Sequence, residues 1–80
     1  MILNVVNLPM MKRDLLINFG KNLRALRLEK KLTQVELAEL AEFDRNYIGM
    51  LERGERNPSL INLGRLSKAL NLDLVDLFRF

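Results

Sequence analysis

Between Thr33 and Asn57 the chain carries two short helical patterns back to back, parted by a tight break at Phe43 and Asp44. Thr33, with Glu36 one turn later, is a capping box: hydroxyl and carboxylate reciprocally satisfy backbone amides that have no partner within the helix. Leu37, Ala38 and Ala41 form the apolar edge that follows, and the alanines are small enough for another helix to cross closely. Asp44 suits the cap of the next segment, in which Ile48 and Leu51 are the core residues and Tyr47 flanks them. Gly54 ends that segment, because glycine adopts the left-handed backbone of a helix terminus without strain. Helices this short are unstable alone in water, so the two must pack on each other and on longer neighbours.

Those neighbours are legible on both sides. Leu16, Phe19, Leu23 and Leu26 recur at helical steps and predict a first helix from a cap at Asp14 to about Lys30. Gly20 within it costs about 1 kcal/mol of helix propensity, which close packing against a neighbour would offset. Glu55 to Pro58 reads as a loop, since proline restrains its predecessor and has no amide to donate. Ser59 then caps a fourth helix with the stripe Leu60, Leu63, Leu66 and Leu70, and Asp73 caps a last short one bearing Leu74, Leu77 and Phe78. No segment alternates as a strand would, so the expectation is all-α with five helices.

Residues 1–13 are expected to form an N-terminal arm ahead of a domain over 14–80. The opening Met1 to Leu8 is apolar, but it lacks a basic start and is interrupted by Asn4 and Asn7. It also falls short of the roughly 20 residues that span a bilayer, so it reads as an arm rather than an anchor or signal peptide.

Composition narrows the function more by what is missing than by what is present. The 80 residues contain neither histidine nor cysteine, which removes the usual imidazole base, the usual zinc ligands and any disulfide. Enzymatic activity is not expected, nor is a cofactor. A reducing, cytoplasmic setting suits such a chain. The formal charge of +3 leans toward an anionic partner without identifying one.

Two short helices joined by a tight break give a helix-turn-helix geometry, with the second helix projecting from the body. From about Phe19 to Phe78 the chain resembles the Cro/repressor-type (XRE-like) helix-turn-helix proteins of phages and bacteria. Thr33-Gln34, Leu37-Ala38, Ala41, Tyr47-Ile48, Leu51-Glu52-Arg53-Gly54 and Asn57-Pro58-Ser59-Leu60 stand where that pattern expects them. The stretches Asp44 to Gly49 and Glu52 to Asn57 are most similar to the controller proteins of restriction-modification systems, small dimeric transcription regulators with no separate effector domain. The resemblance implies a compact five-helix, lambda-repressor-like DNA-binding domain with the helix-turn-helix on its second and third helices. One departure is Glu42, which holds a turn position usually given to glycine and so places a side chain where a positive φ is expected.

On the projecting helix, Arg45, Gly49 and Arg53 repeat every turn, with Asn46 and Met50 beside them, on the side away from Ile48 and Leu51. These five are the candidate base readers. Arg45 matches guanine O6 and N7, Asn46 matches adenine N6 and N7, Met50 suits a thymine methyl, and Gly49 would let the backbone approach closely. Thr33 and Gln34, at the start of the second helix, are candidate phosphate ligands through that helix end. By position in the family pattern, Tyr47, Arg56 and Asn57 join them. The resemblance also implies a semi-buried structural ion pair between Arg27 and Glu52.

Leu74, Leu77, Phe78 and Phe80 present more apolar surface than so short a tail can bury; Leu77, Phe78 and Phe80 are expected to form a dimer interface, the rival reading being closure of the monomer core over the first helix. The expected function is a sequence-specific DNA-binding transcription regulator, controlling a restriction-modification operon. Its expected partners are duplex DNA with a near-palindromic operator, a second copy of the chain, and RNA polymerase through Glu39 and Glu42, with no membrane. The rival reading is an antitoxin-like operon repressor that also binds a protein toxin.

Overall fold

The computed structural model describes residues 8–80, so the expectation for residues 1–7 of the arm lies outside it. The described chain is helical, with no strand: α1 is Leu8–Glu29, α2 Gln34–Ala41, α3 Arg45–Glu52 and α4 Leu60–Ala69, followed by a 3-10 turn, Leu74–Phe78.

Local chemistry explains most boundaries. Thr33 Oγ1 accepts from the Glu36 amide at 3.0 Å while Glu36 Oε1 accepts from the Thr33 amide at 2.8 Å, completing the capping box. Asp44 Oδ1 accepts from the Asn46 amide at 2.8 Å, and Ser59 Oγ from the Asn62 amide at 3.1 Å. Two expectations are corrected. The first helix starts at Leu8 rather than Asp14, with Pro9 in the first turn, where a missing amide forfeits no hydrogen bond. The last element is a 3-10 turn and not a fifth α-helix: its five residues close through the short bond from the Asp76 amide to Asp73 O.

The core gathers Phe19 and Leu23 of α1, Leu37, Ala38 and Ala41 of α2, Ile48 and Leu51 of α3, Leu66 of α4, Leu70 just after it, and Leu77 of the turn. Each leucine buried in this way contributes about 1.5–3 kcal/mol, so these few side chains carry the fold. Helix α3 packs on both α1 and α2, α4 lies against α2 and the turn, and the turn closes on α1. Gly20 is required at the crossing of α1 and α3, because a Cβ there would overlap the carbonyl oxygens of Leu51 and Glu52. The expected leucine stripe of α4 is shorter than its spacing suggests: Leu63 is half-buried, but Leu60 is 72% exposed.

The turn between α2 and α3 holds Glu42 at φ 61° and ψ 44°, the left-handed conformation that usually goes to glycine. That costs a residue with a Cβ roughly 1–2 kcal/mol. Arg65 of α4 offsets the cost. Its Nε and Nη2 donate to Ala41 O at 3.1 and 2.8 Å, Nη2 also reaches Glu42 O, and the guanidinium lies 4.1 Å from the centroid of the Phe43 ring. A carbonyl end left open by α2 is thereby closed from another helix, which fixes the angle at which α3 departs.

Candidate nucleic-acid interface

The outer edge of α3 is where polar side chains are left over after the core and the caps have taken theirs. Arg45 and Asn46 are exposed in its first turn, and among the described residues neither side chain has a hydrogen-bond partner. Together with Gln34, Val35, Gly49, Met50 and Arg53 they line one shallow, open hollow. Met50 is half-buried, and its sulfur accepts from Arg56 Nε at 3.3 Å. Gly49 is buried beneath its neighbours. A Cβ on it would come to 3.1 Å from Arg53 Nη1 and 3.5 Å from Gln34 Oε1.

Arg53 is exposed but engaged. Its Nε and Nη2 donate to the two carboxylate oxygens of Glu55 at 2.9 and 3.2 Å. The same hydrogen bonds raise the Arg53 pKa and hold the Glu55 carboxyl below its usual range.

The phosphate candidates do not all sit together. Asn46, Tyr47, Met50 and Arg56 border a second hollow next to the first, with the capping Asp44. Thr33 is exposed and committed to its capping box. Gln34 begins α2 and donates from Nε2 to Glu52 Oε1 at 3.1 Å. The Tyr47 hydroxyl accepts from Asn62 Nδ2 at 3.0 Å and its ring packs on Phe43, with centroids 4.9 Å apart; the hydroxyl proton remains to be donated. Asn57 borders a different groove, an apolar one shared with Leu15, Phe19, Leu63, Phe78 and Phe80.

Beneath the outer edge of α3 lies the pair of Arg27 and Glu52. Arg27 Nε donates to Glu52 Oε2 at 2.6 Å and Nη2 to Oε1 at 3.0 Å, with Arg27 and Glu52 only 7% and 9% exposed. Arg27 Nη1 closes the carbonyl of Leu32 at 2.8 Å. The hydrogen bond to Glu52 raises the Arg27 pKa against the opposing effect of burial. Because Glu52 also accepts from Gln34, one carboxylate ties the end of α1, the start of α2 and the end of α3 into a fixed frame.

At the other end of the molecule, Leu77 is corrected from interface to core: it is 0% exposed, whereas Phe78 and Phe80 are 45% and 53% exposed. Asn22, which carried no signal in the sequence, donates from Nδ2 to Asp76 O at 3.1 Å and Leu77 O at 2.9 Å and so fastens the turn to α1. Phe78 leans on Phe19, with ring centroids 6.4 Å apart.

The helix-turn-helix family model matches residues 23–77, and the chain belongs to that family. Within it, the chain is 42% identical over 66 residues to the control protein C.MunI of a Mycoplasma species, covering 81% of this chain and 89% of that one. Its backbone matches the restriction-modification controller protein C.AhdI from Aeromonas hydrophila with a TM-score of 0.78 at 48% identity, over 79% of this chain and 96% of that one. It also matches the controller protein C.Esp1396I, solved as a tetramer in complex with its natural 35 base-pair operator, with a TM-score of 0.74 at 36% identity over 80% and 84% of the two chains. No described helix is long and apolar enough to cross a membrane.

Proposed function

We propose that this chain is a sequence-specific DNA-binding transcription regulator of the restriction-modification controller type, working in the cytoplasm without enzymatic activity. The observation that carries this reading is the state of Arg45 and Asn46, exposed and unpartnered among the described residues while the polar groups around them are bonded within the protein. In this reading α2 and α3 are the helix-turn-helix pair and α3 enters the major groove. Arg45 donates to guanine O6 and N7, Asn46 pairs with adenine N6 and N7, and Met50 touches a thymine methyl, each good bidentate pair giving roughly 1–3 kcal/mol of discrimination. Arg53 completes the edge from the last turn, and Gly49 gives its guanidinium room.

Phosphates are held on either side of the groove by Thr33 and the free amides at the start of α2, by the Tyr47 hydroxyl, and by Arg56 and Asn57. The chain acts as a dimer through Phe78 and Phe80, with the exposed Leu74 and Val75 beside them. A two-fold pair sets two α3 helices about 34–36 Å apart, one turn of DNA, and calls for a near-palindromic operator. Glu39 and Glu42, both exposed, are the surface offered to RNA polymerase; neutral substitutions there are expected to lower activated transcription and leave DNA binding intact.

Footprinting the purified protein on DNA upstream of its own gene tests the reading. The expected result is a symmetric protected site with two halves one helical turn apart. Protection without symmetry or sequence preference would contradict it.

A further inference from the structure

Arg53 and Glu55 are separated only by Gly54, whose φ of +75° is a left-handed turn. That turn is seated on α1, since a Cβ on Gly54 would press to 3.0 Å from the main chain of Ile17, and the Glu55 amide returns to Met50 O at 2.9 Å. A rigid turn, and not a loose loop, therefore sets the Glu55 carboxylate beside the reading edge. A guanidinium has five N–H groups in a fixed fork. Glu55 takes the Nε proton and one Nη2 proton of Arg53 at 2.9 and 3.2 Å. The end formed by Nη1 and the second Nη2 proton stays open, with Nη1 lying over Gly49.

We propose that Glu55 is a specificity-determining residue of the DNA interface: it holds Arg53 with its open end toward a guanine edge and cancels the charge by which a free arginine would bind any phosphate. The inference rests on the base-reading role given to α3 above. Guanine O6 and N7 need two donors in one plane, and a guanidinium already held along its side edge by a carboxylate presents its end edge at a smaller ordering cost. Phosphate binding, by contrast, draws on net charge and counterion release. The neutralised pair contributes little to it, and the carboxylate itself is repelled by the backbone. One residue thus raises the ratio of specific to nonspecific affinity from both sides, without touching a base.

The test measures wild type and Glu55→Gln against two duplexes over a range of salt: one selected by the wild-type protein from a randomised pool, and a scrambled sequence of equal length. On the scrambled duplex, Glu55→Gln is expected to bind several-fold tighter, with a salt slope steeper by about one counterion. On the selected duplex the gain is smaller, so the affinity ratio falls. Glu55→Asp keeps the charge but not the reach, and is expected to lose part of the ratio while nonspecific binding stays weak. In an Arg53→Ala background, Glu55→Gln should leave the ratio unchanged. Equal tightening on both duplexes, or the same fall in ratio without Arg53, overturns the role of Glu55 while leaving base reading intact. A wild type with no preference for any selected duplex overturns both.

Discussion

Glu52 and Arg53 are consecutive residues, each held by two hydrogen bonds to an oppositely charged partner, yet the two pairs do different work. Glu52 turns inward to Arg27, where both groups are nearly sealed from water and a third donor, Gln34, shares the carboxylate. Arg53 turns outward to Glu55, with side chains 58% and 51% exposed. Burial makes the first pair hard to break and costly to leave half-made. Solvent screens the second, so it contributes little to the fold. A single peptide bond therefore divides a buried ion pair from an exposed one at the end of α3, and what divides them is the side of the helix on which each side chain falls.

The sharpest way to break this contrast is Arg27→Ala, which strands Glu52 in the interior. It is expected to cost about 3–5 kcal/mol, a large part of the stability of a domain this size, read as a lower urea midpoint. Replacing both partners with apolar residues, Arg27→Met with Glu52→Leu, should recover most of that loss. If Arg27→Ala unfolds at the wild-type midpoint, the pair is not architectural.

Arg45→Ala bears on the other side of the contrast. It is expected to leave stability unchanged and to reduce preference for the operator by roughly 1–3 kcal/mol, while sparing most binding to random DNA. Equal losses on both would remove Arg45 from the readers. Smaller still, Arg56→Ala should weaken cognate and random duplexes alike and reduce the salt slope by about one, and an unchanged slope would exclude a phosphate contact.

The exposed pair also has a pH signature. The hydrogen bond from Arg53 depresses the Glu55 pKa below its ordinary 4.5. Whatever that pair adds to stability is present above the ordinary value and is lost as pH falls through the depressed one. An NMR titration of the Glu55 carboxyl should move upward in Arg53→Ala, and coincident curves would show that the two do not interact in solution.

How much of this was legible in the sequence depends on the range over which each feature is encoded. The caps at Thr33, Asp44 and Ser59 are local chemistry, and all three stand where the spacing put them. The outward edge of Arg45 and Asn46 follows from helical periodicity against Ile48 and Leu51. The pair of Arg27 and Glu52 came from family resemblance, because its partners are 25 residues apart and nothing local joins them. Arg65 under the turn, Asn22 under the last turn and Asn62 on Tyr47 were missed for the same reason: each is a polar residue on an ordinary helix, defined only by what the fold brings to it. Leu77 was misplaced because the last element is a 3-10 turn, whose tighter winding brings Leu77 into the core and leaves Phe78 at the rim. Asp14 has the chemistry of a cap and so points to a later start for the first helix, whereas Pro9 is compatible with its first turn.

The claim that the free edge of α3 reads bases in the major groove is tested most directly by methylation interference at guanine N7 on the bound operator. The account predicts two groups of interfering guanines, one helical turn apart, with part of each group lost when Arg45 is replaced by alanine. Absence of interference at guanine N7 across the bound site, or a pattern indifferent to Arg45, would contradict it.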